Sequence, residues 1–238
     1  MLQSSKYRVD RLFNDRTSGK DTHNSLVANL VAFAKDGGIG TLLAYGQTGS
    51  GKTFTINQLQ ELVVPALLAD ASILAGDFEI YITIVELAGN SAYDLLNSRK
   101  PIAVREDSQG TMHLAGAAEN RITDPEQALE FLERAAAFRR TESTQKNDTS
   151  SRSHSICRIR LHNSNNGEST ANDGLLYMVD LAGSEAARDI FDHSADRMRE
   201  TREINVSLSA LKDCLRGKAE LENARETERS RNVHVPIR

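Results

Sequence analysis

Apolar positions along the chain follow two periods, one typical of strands and one typical of helices. Alternating or continuous apolar runs that are rich in β-branched and aromatic side chains indicate strands. Such runs predict strands or strand ends at residues 7–13, 41–45, 78–87, 155–162 and 174–181. A turn-forming segment that begins at Asn163 separates the last two, and residues 98–124 predict a loop-rich stretch with short strands.

Helical spacing of apolar residues at 22–36, together with capping and stop signals elsewhere, predicts four helices between and after these strands. The predicted helices cover 22–36, a segment that starts near Lys52, 125–143 and about 201–216. We expect Pro65 to end or kink the second helix and Gly217 to end the fourth. This alternation of strands and helices predicts an α/β fold whose sheet is covered by helices on both faces.

Residues 218–232 differ from the rest, because they are dense in charged side chains and have almost no apolar face. This pattern predicts either a solvated helical extension or a charged, flexible insertion. The sequence contains no internal repeat and no coiled-coil heptads. We therefore expect one domain over residues 1–238 that carries this charged segment.

Composition excludes several classes of protein. Hydrophobic residues make up 39% and charged residues 26%, so the chain can build a core and is not disordered throughout. The formal net charge of -4 predicts no nucleic-acid partner. No apolar stretch predicts a membrane span, and the N-terminus lacks the apolar core of a signal peptide. Two cysteines, Cys157 and Cys214, favour a reduced intracellular compartment.

Residues 46–53 read Gly-Gln-Thr-Gly-Ser-Gly-Lys-Thr and satisfy the pattern G-x-x-x-x-G-K-[ST]. The glycines allow main-chain N–H groups to wrap a phosphate, Lys52 can reach the β- and γ-phosphates, and the Thr53 hydroxyl can bind Mg²⁺. A predicted strand enters this loop and a predicted helix leaves it, so the helix dipole favours an anion there. The candidate nucleotide-binding residues are Gly46, Gln47, Thr48, Gly49, Ser50, Gly51, Lys52 and Thr53.

A second candidate is the acid that ends the apolar run 175–180. Asp180 stands where a Walker-B aspartate would hold a water molecule on the metal. The N–H of Gly183, three residues later, could contact a γ-phosphate. A simple turn-forming aspartate is the alternative interpretation. The phosphate-binding loop in the same chain favours the metal role.

A third candidate is the run of eight polar residues at 147–154, Asn-Asp-Thr-Ser-Ser-Arg-Ser-His, which predicts a surface loop. Ser150 and Ser151 offer hydroxyls to a metal or a water molecule, and Arg152 could pair with Glu185 across the site. A solvated, serine-rich loop is the alternative. We expect His154 to orient the loop rather than to bind a metal, since no second ligand is spaced near it.

Together the three segments resemble the kinesin motor domain. The family's phosphate-binding loop, its switch I pattern Asn-x-x-Ser-Ser-Arg-Ser-His and its switch II pattern Asp-Leu-Ala-Gly-Ser-Glu are all matched, in the family's order. The resemblance includes 104–107, 204–211 and 234–238, and it covers about residues 7–238. It implies a P-loop NTPase fold of the kinesin motor type, with a mixed, mainly parallel central sheet.

The resemblance implies ATP as the nucleotide, Mg²⁺ as its metal and the microtubule as the partner, with a cytoplasmic location on the cytoskeleton. It implies that Lys52 and the loop amides hold the phosphates. Thr53, Ser151 and Asp180 would form the metal shell. The sequence contains no Asn/Thr-Lys-x-Asp element that reads guanine, which also disfavours GTP.

The resemblance further implies roles in hydrolysis. Ser150 would help to place the attacking water, and Gly183 would sense the γ-phosphate. Arg152 and Glu185 would form a salt bridge between the two switches. The family's adenine-binding Arg-x-Arg-Pro strand precedes the first residue of this chain, so base stacking would rest on fewer groups. Phe54 is a candidate for that stacking, with simple core packing as the alternative.

The family pattern also continues beyond residue 238, with further filament-binding helix, a final strand and a last helix. We therefore expect a sheet that is incomplete at both ends. One alternative is a truncated kinesin-like module that binds nucleotide or a partner without productive ATPase activity or motility. An unrelated P-loop ATPase or GTPase is disfavoured by the matched switches. Residues 210–216 are similar to the internal-motor, microtubule-depolymerising kinesins.

Overall fold

The structure is a computed structural model that describes residues 9–108, 110–146, 152–167, 169–170, 172–185 and 195–226. Of residues 141–146, 195–197, 200 and 222–226, it describes the backbone alone. Among the described residues, eight strands form the sheet. They are β1 (Ile39–Ala44), β2 (Phe78–Ala88), β3 (Ser91–Asp94), β4 (Lys100–Glu106), β5 (Met112–Ala115), β6 (Asn120–Ile122), β7 (His154–Asn163) and β8 (Gly174–Asp180).

Helices pack against this sheet. They are α1 (Gly19–Thr22), α2 (Ala28–Lys35), α3 (Lys52–Leu68), α4 (Ala71–Leu74), α5 (Pro125–Lys146) and α6 (Ala195–Glu226). A π-helical turn, His23–Val27, joins α1 to α2, and a 3-10 turn, Ser164–Asn166, follows β7. Among the described helices, none is both long and apolar enough to cross a membrane.

The strands lie in the order β1-β8-β7-β2-β3-β4-β5, and β6 pairs with β2. The sheet is mixed, as predicted, but the expectation of a mainly parallel sheet is wrong. Among the described pairs, only β1 and β8 are parallel, and the other six pairs are antiparallel. One reason is connectivity, because β2 joins β3 through only two residues, 89–90, and parallel neighbours need a crossover of a dozen or more residues.

The two faces of the sheet bury different helices. The larger core packs α2, α3 and α5 against one face, and Met178 of β8 points into it. The smaller core packs α6 against the other face, through Leu208 and the next β8 residue, Val179. Successive strand side chains point to opposite faces, so the expected covering of both faces is confirmed. Cys157 lies fully buried in the larger core, where burial raises the pKa of its thiol to about 12.

Several predicted boundaries are wrong. The described part of 7–13 forms no strand, and Leu12 is 88% exposed, so nothing buries its apolar side chain. Helix α3 continues past Pro65 to Leu68, since Val63 and Leu67 are buried and hold the last turn in place.

The fourth predicted helix also runs longer than expected. Helix α6 passes through Gly217, which is buried, and ends at Glu226. An interior glycine costs a helix only about 1 kcal/mol relative to alanine, so it does not have to end one. Residues 218–226 are therefore helical, and the alternative of a flexible loop is wrong for them. Residues 227–232 lie outside the described residues.

Candidate functional site

The phosphate-binding loop lies between β1, which ends at Ala44, and α3, which begins at Lys52. Gly49 and Gly51 have φ angles of 78° and 87°, in the left-handed region that favours glycine. A β carbon at either position would meet no heavy atom within 4 Å, so the loop has open space beside it. This open loop at a helix N-terminus has the shape and the dipole that suit a phosphate.

The lysine and the threonine of the loop have different surroundings. Lys52 Nζ donates to the main-chain oxygen of Gln47 at 2.8 Å, so its ammonium lies over the loop. Thr53 Oγ1 donates to Asp180 Oδ2 at 2.7 Å. The parallel pairing of β1 and β8 explains this contact, because it sets Ala44 opposite Asp180 at the ends of the two strands. The sheet therefore brings two of the predicted metal-site residues together.

Asp180 is only 2% exposed, and its two carboxylate oxygens have different hydrogen-bond partners. Oδ2 also accepts a hydrogen bond from Arg139 Nη1 at 2.8 Å. Oδ1 is buried and has no hydrogen-bond partner among the described residues. A buried carboxylate oxygen without a partner, next to a threonine hydroxyl, fits the oxygen ligands that Mg²⁺ prefers. The residues present therefore suit the predicted metal.

The switch II segment lies directly against the phosphate-binding loop. Ser184 N donates to Gly46 O at 3.1 Å, and Thr48 donates to Glu185 through its main-chain N at 3.0 Å and its Oγ1 at 2.5 Å. Burial alone raises the pKa of Glu185. The hydrogen bonds from Thr48 and the charge of Lys52 outweigh burial and lower that pKa below its ordinary value. Glu185 is therefore held as an anion at the mouth of the loop.

The predicted ion pair between Arg152 and Glu185 is not formed among the described residues. The Glu185 carboxylate instead accepts two hydrogen bonds from Thr48, which satisfy it locally. Arg152 is half-buried. Ser150 and Ser151, the predicted water-placing and metal residues of switch I, lie outside the described residues. Their roles remain predictions.

Two buried side chains that no motif identifies hold the end of switch I. Glu86 of β2 is 1% exposed, and it accepts from Ser153 Oγ at 2.6 Å and from Arg99 Nε at 2.9 Å. Arg139 of α5 donates from Nη2 to Ser153 O at 3.3 Å while its Nη1 holds Asp180. For Glu86 the sequence signal is a charge among apolar residues at the end of β2, whereas Arg139 is one of several charged residues of α5 and has no such signal.

His154, which we expected to orient switch I, links three elements. Its Nδ1 accepts from Ala182 N at 3.1 Å, and its Nε2 lies 2.9 Å from Ser207 Oγ on α6. Burial, together with the charge of Arg139, lowers the pKa of His154 below its ordinary value of 6.5, against an opposing effect of Asp180. The imidazole is therefore neutral at pH 7.

This lowered pKa predicts that acid destabilises the fold through His154. The unfolded chain binds a proton near pH 6.5, whereas the folded chain does so only at lower pH. The free energy of unfolding should therefore fall as the pH drops from 6.5 towards the folded pKa. Urea unfolding at a series of pH values checks this, with His154→Asn as the comparison. An equal pH dependence in both proteins would contradict the prediction.

A cavity of about 270 Å³ adjoins Thr53 and Asp180 between α3 and α5. Phe54, Asn57 and Gln60 of α3 line it together with Leu132 and Arg140 of α5. Phe54 is 71% exposed, so the alternative of core packing for this residue is wrong. Its role in base stacking remains a prediction.

Comparison with known proteins identifies the family that this chain resembles. The family model described as kinesin motor domain matches residues 1–238. "Diatom spindle kinesin-1" from Cylindrotheca fusiformis is 32% identical over all of this chain, which covers 36% of that protein. "Kinesin-like protein KIN-13B" from Arabidopsis thaliana is 33% identical over 90% of this chain and 32% of its own length. A solved structure of a fast kinesin superposes with a TM-score of 0.72 at 26% identity, over 95% of this chain and 66% of that one.

Proposed function

The chain belongs to the kinesin motor family, and we propose that it is an Mg²⁺-dependent ATPase domain that binds microtubules. It spans about a third of the length of the curated relatives reported above, so the activity of the whole protein is part of this proposal. One observation carries it. The phosphate-binding loop, the buried acid of β8 and the switch II segment meet through Thr53–Asp180 and Thr48–Glu185 contacts.

Nucleotide binding is assigned to residues 46–53. The main-chain N–H groups and Lys52 would hold the phosphates of ATP, and the exposed ring of Phe54 would stack on the base. Thr53, Asp180 and Ser151 would hold Mg²⁺. When bound, the ion neutralises developing charge on the transferred phosphoryl group. Thr53 and Asp180 already lie within a hydrogen bond of each other, so this part of the site needs no large movement.

Hydrolysis requires the two switches to change partners. Ser150 would place the attacking water, and the Gly183 N–H would contact the γ-phosphate. Glu185 now binds a main-chain N–H of the loop that is to receive phosphate, so phosphate and carboxylate compete for the same donors. We propose that nucleotide displaces Glu185 from Thr48 and frees it to pair with Arg152. This ion pair between the two switches would then form only when nucleotide is bound.

The proposed partner surface includes α6, whose residues 204–211 are similar to the family's filament-contact helix. Similarity to a KIN-13 protein is consistent with the predicted relationship to the internal-motor group, so microtubule depolymerisation is the finer form of the proposal. The alternative is a nucleotide-binding or interaction module without productive turnover. In such a module Glu185 would keep its two hydrogen bonds from Thr48.

ATP turnover in Mg²⁺, with and without microtubules, tests the proposal. We expect stimulation by microtubules, and we expect Lys52→Ala to reduce stimulated turnover by about 10²-fold or more, the usual cost of losing a positioned charge on a phosphoryl group. Glu185→Ala should abolish stimulation because the proposed ion pair with Arg152 cannot form. Lys20→Ala, at an exposed lysine on α1, is the matched control. Nucleotide binding without stimulated turnover would support the interaction module instead.

A further inference from the structure

We propose that His154 is a positioning residue that transmits movement of α6 to the main chain of switch II. The inference rests on the proposed function, because α6 is there assigned to the microtubule surface. The geometry that carries it is a continuous series of hydrogen bonds. It runs from Ala182 N to His154 Nδ1, from His154 Nε2 to Ser207 Oγ, and from Ser207 Oγ to Ile204 O, at 3.1, 2.9 and 2.7 Å.

The direction of each hydrogen bond in this series is fixed by its first member. A main-chain N–H can only donate, so Nδ1 of His154 must be the unprotonated nitrogen. The ring proton therefore lies on Nε2 and is donated to Ser207 Oγ. The Ser207 hydroxyl then donates its own proton to Ile204 O. The Ser207 hydroxyl thus accepts one hydrogen bond and donates another, and this arrangement requires a neutral His154 imidazole.

Two other contacts that the described residues of α6 make near the site are less suited to transmission. Leu208 packs on Val179 and Leu181, and apolar packing has no preferred direction, so these side chains can slide past one another. Lys212 lies 5.0 Å from the ring centroid of Tyr45, at the end of a long flexible side chain. The ring of His154 is rigid, and its Nδ1 accepts a hydrogen bond from the main-chain N–H of Ala182, the residue before Gly183. A shift of Ser207 therefore moves the amide that precedes the predicted phosphate sensor.

Removal of the Ser207 hydroxyl, the α6 side chain of this series, gives the sharpest test of the proposal. In Ser207→Ala the maximal microtubule-stimulated turnover should fall about five- to tenfold, within the range of measured coupling free energies. The microtubule concentration at half-maximal stimulation should not rise. Ser209→Ala, at an exposed serine of the same helix, is the control. A rise in the half-maximal concentration instead would make Ser207 a filament contact and overturn the proposal.

The double variant shows whether the two residues act through each other. His154→Asn should also lower stimulation, and adding Ser207→Ala to it should cause no further loss, because the series is already broken. Additive losses would overturn the proposal. Loss of folding in His154→Asn would leave the Ser207→Ala result as the deciding one.

Hydrogen exchange of the Ala182 amide decides the proposal even where microtubules give no stimulation. Ser207→Ala should speed exchange at this amide in the isolated chain, and Ser209→Ala should not. Equal exchange in Ser207→Ala and the unchanged protein would overturn the link. A chain without stimulated turnover, but with this exchange response, would refute the proposed function and retain the role of His154.

Discussion

Replacement of Gly183 by alanine should abolish microtubule-stimulated ATP turnover while it leaves the fold and nucleotide binding intact. A β carbon at Gly183 would overlap Thr48 Oγ1 and both carboxylate oxygens of Glu185. These atoms are side-chain ends, so the fold can relieve the overlap by moving Glu185 off Thr48. Gly183 is not among the glycines with positive φ, so alanine introduces no backbone strain. The damage is therefore confined to the side chains of Glu185 and Thr48, which lie beside Gly183.

The size of the loss follows from the proposed contact with the γ-phosphate. Alanine keeps the main-chain N–H, but the added methyl group and the displaced Glu185 would block its contact with the γ-phosphate, and loss of one positioned donor typically costs about 10²–10³-fold in turnover. Single-turnover measurement of phosphate release should show this loss, whereas ADP binding should change little because ADP has no γ-phosphate. Circular dichroism on heating should show an unfolding transition close to that of the unchanged chain. Turnover like that of the unchanged chain would contradict a sensing role for this amide, and a parallel loss of ADP affinity would point to a misfolded loop.

The part of this site that could be predicted from sequence is the part that is local. The phosphate-binding loop is eight consecutive residues whose pattern follows from phosphate geometry, and the strand before it and the helix after it form where the apolar pattern places them. Asp180 could be found because it ends an apolar strand, and the sheet register then brings it to Thr53. Patterns of this kind need no knowledge of distant partners.

The part that could not be predicted depends on contacts between distant segments. Glu86 lies in a strand and Arg139 in a helix, far from Ser153 in the chain, and only the folded chain brings them to it. The persistence of α3 beyond Pro65 has the same origin, because burial of Val63 and Leu67 outweighs the local preference to stop. The contact between Glu185 and Thr48 could not be predicted either, because it joins segments 137 residues apart in the chain. Tertiary packing decided each of these cases.

The pair formed by Arg139 and Asp180 should make Arg139 one of the most costly residues to replace. Their side chains are 9% and 3% exposed, and they meet at 2.8 Å. We expect Arg139→Met to lower the free energy of unfolding by about 3–5 kcal/mol, the usual cost of leaving one partner of a buried ion pair uncompensated. Arg140→Met is the matched control, because Arg140 follows it on α5 and is exposed. That control should stay within about 0.5 kcal/mol of the unchanged chain.

A second substitution separates the cost of an unpaired charge from the cost of lost packing. Adding Asp180→Asn to Arg139→Met removes the carboxylate that the first change leaves unpaired, so the double variant should be more stable than Arg139→Met alone. Urea unfolding measures both quantities, and neither variant needs to be active. Equal losses of unfolding free energy in Arg139→Met and Arg140→Met would show that the Arg139–Asp180 ion pair does not stabilise the fold. A double variant less stable than the single one would mean that Arg139 stabilises the fold through Ser153 rather than through Asp180, since its Nη2 also donates to Ser153 O.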